Sequence, residues 1–89
     1  MGQICVFTLP GCEYCYNLKR DLKKLSIPFI ECSIVEFKEI WDQIVEQVKD
    51  DALPTVYIKT EGTDQGPLYM PGFNVFSEEE MIEKIKSHI

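Results

Sequence analysis

Positive charge is scarce in this chain. Its 89 residues hold 9 Lys and Arg against 15 Asp and Glu, a formal net charge of −6. Gripping a nucleic-acid backbone needs a basic footprint, so nucleic acid is excluded as a general partner. Long apolar runs are missing too. The longest, Ile4–Leu9 and Leu53–Ile58, fall far short of the roughly 20 residues that a membrane helix requires. No basic segment followed by an apolar core opens the chain, so no secretory signal is visible and a cytoplasmic protein is expected. Repeats, low-complexity stretches and linkers are absent, so residues 1–89 read as one domain. That length leaves no room for a separate cofactor domain.

What is present is an ordinary globular balance, 45% hydrophobic and 27% charged. Gln3–Thr8 is a short β-rich run that suits a central strand buried on both faces. Pro10-Gly11 breaks it. A helix pattern starts at Cys12 and carries Leu18, Leu22 and Leu25, until Ser26 and Pro28 end it. Phe29–Ile34 alternates as a half-exposed edge strand would, with Ile30, Cys32 and Ile34 on one side. Phe37, Ile40, Trp41, Ile44 and Val48 make a second helical stripe. Thr55–Lys59 is a third strand, Glu61–Gly66 has turn chemistry, and Leu68–Met70 closes a hairpin before Pro71-Gly72. Ser77 and Glu80 form a capping box ahead of a last helix with Met81, Ile82, Ile85 and Ile89 on its apolar face. The predicted order is βαβαββα, an α/β fold. A strand–helix–strand unit demands a parallel pair and the later hairpin an antiparallel one, so the sheet is mixed, with helices on both faces.

Chemistry concentrates in the cysteines. Cys5, Cys12, Cys15 and Cys32 all lie in the first 32 residues. Cys12-Glu13-Tyr14-Cys15 falls where a strand hands over to a helix. A spacing of three puts both sulfurs on one side of a helical turn, close enough for a small disulfide. Cys12 sits at the helix N-terminus, where unpaired N–H groups and the positive dipole end favour a thiolate. Cys15, a turn deeper, is expected to be more shielded. The pair can then attack a disulfide and resolve the adduct. The competing reading is half of a zinc site, but Cys5, Cys32 and His88 do not supply a second local ligand pair. Leu53-Pro54-Thr55 opens the third strand; from the residues alone its X-Pro bond is expected to be trans.

Taken together, Cys12–Cys15 after a strand, Leu53-Pro54-Thr55 before Val56-Tyr57-Ile58, and Gly72-Phe73-Asn74 before the last helix resemble the glutaredoxins. The resemblance spans essentially the whole chain. It implies the thioredoxin fold, with a four-stranded mixed sheet, and reduction of protein disulfides or glutathione mixed disulfides with glutathione as co-substrate and no permanently bound cofactor. It also implies a cis Leu53–Pro54 bond. Carried over by position, Cys12 would be the nucleophile and Cys15 the resolving thiol. Tyr14 would flank the glutathione sulfur, and the backbone of Leu53, next to Pro54, would pair with the cysteinyl unit as a strand edge does. The N–H groups of Gly72, Phe73 and Asn74 would receive the γ-glutamyl carboxylate.

The departures from the family pattern point one way. Pro71 replaces a glycine, Asn74 an aspartate, Leu9 a lysine common before the first cysteine, and Glu13 a proline of the active-site loop. A carboxylate beside Cys12 opposes its ionisation, so a less acidic thiol and weaker glutathione binding are expected. Pro71-Gly72-Phe73 suits equally a glutaredoxin-like electron donor to ribonucleotide reductase, recycled by thioredoxin reductase. A third alternative is an iron–sulfur-binding glutaredoxin; against it, Cys15 stands where cluster carriers usually have serine. Cys5 and Cys32 read as buried, inert thiols. Phe29, Phe37 and Trp41 read as core, Lys19, Arg20, Lys23 and Lys24 as a solvated helix face, and His88 as exposed and idle. A monomer without a metal site is expected.

Overall fold

The computed structural model describes residues 3–59 and 66–89. In chain order the elements are β1 (Gln3–Thr8), α1 (Glu13–Lys24), β2 (Ile30–Ser33), α2 (Lys38–Val48), β3 (Thr55–Lys59), β4 (Leu68–Tyr69) and α3 (Glu78–Lys86). This is the order the hydrophobic patterning predicts. The strands form one sheet, β2-β1-β3-β4. β1 and β2 run parallel, with Phe7 opposite Cys32. β1 and β3 are antiparallel, with Val6 opposite Val56, and so are β3 and β4, with Val56 opposite Tyr69. The architecture is the α/β, mixed-sheet, thioredoxin-like one. β4 is one residue shorter than its sequence pattern, and the expected turn at 61–66 lies outside the described residues except for Gly66.

Strand periodicity divides the core in two. Ile4 and Val6 of β1 and Val56 and Ile58 of β3 face one side, packed with Leu18 and Leu22 of α1 and Met81 and Ile85 of α3. Cys5, Phe7 and Tyr57, one residue out of phase, face the other side, with Cys32, Met70 and Trp41. Phe7 and Trp41 stack in a tilted pair, ring centroids 5.7 Å apart. Burying each such aliphatic side chain contributes about 1.5–3 kcal/mol. Helices on both faces follow from this split.

α2 corrects the expected stripe. Trp41, Ile44, Val45 and Val48 turn inward, while Phe37 and Ile40 are exposed. Phe37 is the N-cap, outside the regular helix, and Ile40 sits beside the inward face rather than on it. Ile30, at the opening end of the edge strand, and Ile89 are exposed too.

The end of α1 is better built than its sequence suggests. Ser26 adopts a left-handed φ of 58°. Its N–H reaches the Lys23 carbonyl at 3.1 Å, and the Ile27 N–H reaches the Leu22 carbonyl at 2.9 Å. Ile27 and Leu22 are both buried in the same cluster. That is a Schellman termination with its apolar contact, here with serine where glycine is commonest.

Candidate active site

The site begins at the end of β1. Leu9-Pro10-Gly11 turns the chain, with Gly11 at φ 84°, a value its missing Cβ permits. The Cys12 N–H closes this turn onto the Leu9 carbonyl at 3.1 Å. Cys12 thereby becomes the N-cap of α1, in extended conformation, and its sulfur accepts the Cys15 N–H at 3.2 Å. A sulfur here occupies the place of a capping oxygen. It satisfies one of the unpaired donors of the helix end and sits at the positive pole of the helix. Cys12 and Cys15 form a disulfide, with Cα atoms 5.2 Å apart. Cys12 is half-exposed, whereas Cys15 is 1% exposed. The two sulfurs are thus unequal, one reachable and one sealed, as the helix position predicts.

Two clefts flank this turn. The first, about 440 Å³, is lined by Tyr14 and Leu18 of α1, Leu53 and Pro54, Pro71 and Gly72, and Phe76, Ser77, Glu78 and Met81 at the head of α3. The Leu53–Pro54 bond is cis, as the resemblance implies and the bare residues do not. Among the described residues, none hydrogen-bonds the Leu53 backbone. The second cleft, about 450 Å³, holds the disulfide itself together with Thr8, Leu9, Glu13, Tyr16, Lys19 and Glu31. Of the sequence-predicted site residues, Tyr14, Leu53, Pro54 and Gly72 meet in the first cleft, and Cys12 and Cys15 in the second.

Phe73 and Asn74 line neither cleft. The three N–H groups expected to be open to a carboxylate are engaged within the turn. Gly72 donates to the Val75 carbonyl at 2.8 Å, and Phe73 and Asn74 to the Met70 carbonyl at 3.1 and 3.3 Å. The Asn74 amide is committed as well. Its Oδ1 accepts the Met70 N–H at 2.9 Å and its Nδ2 donates to the Leu68 carbonyl at 2.7 Å. Asn74 therefore braces the turn after β4. Its side chain is thus committed to the protein's own backbone.

Several groups at the site are set by contacts that no spacing in the sequence shows. Glu31 of β2 accepts Thr8 Oγ1–H at 2.8 Å and pairs with Lys19 at 2.7 Å. Lys19, and then Thr8, hold the Glu31 carboxyl below the usual glutamate range. Lys19 is thus tied down beside the disulfide rather than solvated; only the strand register shows this. Across the first cleft, burial and then the neighbouring Asp21 carboxyl raise Glu78, and the hydrogen bond from Glu78 lowers Asp21. Phe76 precedes the Ser77 cap, where an apolar side chain normally packs onto the fourth helical residue, yet it is 76% exposed. Glu80 reaches back to the Phe76 N–H at 3.1 Å, one residue beyond the usual capping-box partner.

The remaining cysteines, Cys5 and Cys32, line neither cleft. Burial raises Cys5 above the ordinary thiol value and pushes Cys32 to about 11. His88 is not idle: its Nε2 lies 2.8 Å from the Tyr69 hydroxyl, half-buried, tying the end of α3 to β4. Among the described residues, no group of three or more His, Cys, Asp or Glu is placed to hold a metal.

A half-exposed sulfur capping a helix and bonded to a sealed partner defines a dithiol–disulfide redoxin on a thioredoxin-like scaffold. Comparison with known proteins gives the family. The glutaredoxin family model matches residues 4–62, two-thirds of the chain, and the chain belongs to that family. The match includes Cys12–Cys15 and Leu53–Pro54 and stops before Gly72. Among solved structures, the chain is similar to the thioredoxin-like protein BC3987, at 22% identity and TM-score 0.61, covering 98% of this chain and 100% of that one. A mutant of the same protein matches at 21% identity and TM-score 0.60, covering 96% of each chain. A buckwheat glutaredoxin–glutathione complex matches at 14% identity and TM-score 0.59, covering 98% of this chain and 71% of that one. The curated proteins contain no match.

Proposed function

We propose that this thiol–disulfide oxidoreductase works through Cys12, reducing protein disulfides or glutathione adducts, with glutathione as the co-substrate that returns it to the dithiol. The observation that supports this reading is the inequality of the two sulfurs: Cys12 half-exposed at the helix cap, Cys15 sealed one turn deeper. In the reduced chain the Cys12 thiolate attacks one sulfur of the substrate disulfide. A mixed disulfide forms, and the other substrate sulfur leaves as a thiolate and takes a proton. Cys15 then loses its proton and attacks the Cys12 sulfur. The Cys12–Cys15 disulfide forms and the second substrate thiol departs. The chain loses two electrons and the substrate gains them. Tyr14, Leu53 and Pro54 line the groove in which an extended thiol-bearing segment would lie. The chain acts as a monomer in the cytoplasm.

Turnover by variants tests the assignment. Cys12→Ser should abolish all reduction; Cys15→Ser should stop dithiol chemistry while sparing glutathione-adduct reduction. Activity surviving without Cys12 contradicts it. One observation favours a second reading. The N–H groups of Gly72, Phe73 and Asn74 are engaged internally, which weakens docking of a glutathione carboxylate. On that reading the chain feeds electrons to ribonucleotide reductase and is recycled by thioredoxin reductase. Supplying glutathione with glutathione reductase, or thioredoxin reductase alone, separates the two donors.

A further inference from the structure

Charge around the disulfide is one-sided. The two clefts together carry three carboxylates, Glu13, Glu31 and Glu78, against one ammonium, Lys19. Among the described residues Lys19 is the only basic side chain lining either cleft, and Glu31 already binds it at 2.7 Å. Asp50 and Asp51 immediately precede Ala52 and Leu53 of the first cleft, with Lys49 before them; Glu79 follows Glu78, on which Arg20 of α1 also acts. The N–H groups of residues 72–74 bond within their turn and are closed to a carboxylate. Apolar surface, by contrast, is offered freely: Tyr14 is 74% exposed and Phe76 76%, and both line the first cleft. Such large exposed aromatics beside a groove mark a surface that a partner covers.

We infer that the preferred oxidised substrate of this site is a disulfide in a cationic polypeptide segment with an apolar residue beside its cysteine, ahead of the anionic glutathione disulfide. The inference rests on the thiol–disulfide reading above and names its substrate class. An extended segment lies along Leu53, whose backbone has no partner among the described residues. Its apolar side chain covers Tyr14 and Phe76, and its Lys or Arg side chains meet Glu13 and Glu78. Its disulfide sulfur reaches Cys12 and accepts the thiolate as written above, two electrons passing to the peptide. Glutathione carries two carboxylates and one ammonium, so the same field repels it. It still serves as reductant, where high concentration compensates weak docking.

The test is single-turnover oxidation of the fully reduced chain, read by acid quench and mass, with four disulfides. Three are matched leucine-flanked peptide disulfides bearing Lys, Glu or neutral residues, and the fourth is glutathione disulfide. The Lys peptide is expected to react roughly tenfold faster than the Glu peptide at low salt, the difference shrinking as salt is added. Glutathione disulfide is expected to behave like the Glu peptide. In a Glu13→Lys, Glu78→Lys chain the order should reverse. Should that variant not fold, the salt dependence of the unaltered chain decides alone. Equal rates for the Lys and Glu peptides, or a ratio indifferent to salt, overturn the inference while leaving the oxidoreductase reading intact. No reaction with any of the four, the neutral peptide included, overturns that reading itself.

Discussion

Replacing Asn74 by alanine separates a brace from a ligand residue. The side chain makes two bonds to the backbone after β4, at 2.9 Å from the Met70 N–H and 2.7 Å to the Leu68 carbonyl. Met70 is fully buried, so its N–H loses a partner in a place water reaches poorly. Leaving such a donor unpaired costs about 1–3 kcal/mol, and the second bond adds about 0.5–1.5 kcal/mol. A total of about 3 kcal/mol lowers the melting temperature of a domain this small by about 12–24 °C. Asn74→Asp keeps an acceptor for Met70 but sets a carboxylate against the Leu68 carbonyl, so it should also lose stability. Thermal unfolding by circular dichroism gives the first readout, and the KM for glutathione at a temperature where each variant is folded gives the second. A large drop in melting temperature with an unchanged KM is expected. An unchanged melting temperature with a raised KM refutes the brace and restores Asn74 to the binding site.

Other outcomes follow from the same geometry. Ser26→Gly removes the left-handed strain at φ 58° and should stabilise the chain by about 1 kcal/mol, read from the urea midpoint. Glu31 is held below its unfolded value, so its contribution is present above the ordinary carboxylate range and fades as pH falls through the folded value. The stability gap between the parent and Glu31→Gln should therefore be largest near neutrality, about 1 kcal/mol for a partly exposed pair, and close in acid. In the reduced, folded protein Cys32 should alkylate far more slowly than Cys12, because burial pushes its thiol up to about 11; comparable rates would contradict its place in the core.

Much of the fold was legible because strand and helix periods are strong signals. Ile4 and Val6 against Cys5 and Phe7 already separate the two faces of the sheet. The C-x-x-C pair was legible for a similar reason, since a strand, a Pro-Gly break and a helix start leave Cys12 only the cap. What escaped depends on register and on local backbone bonding. Glu31 meets Lys19 and Thr8 only once β2 lies beside β1 with Thr8 opposite Ser33. Phe37 carries the right spacing for a helical stripe, but it falls on the cap, and the stripe begins at Trp41. The N–H groups of residues 72–74 have the right positions for an anion, yet a tight turn engages them, and no spacing in the sequence reveals that.

The chemistry depends on which sulfur meets the outside world. Mixing the reduced Cys15→Ser chain with a small neutral disulfide and mapping the trapped adduct by mass spectrometry asks this directly. One adduct per chain, on Cys12, is the predicted result. An adduct on Cys5 or Cys32 instead, or none on Cys12, would contradict it.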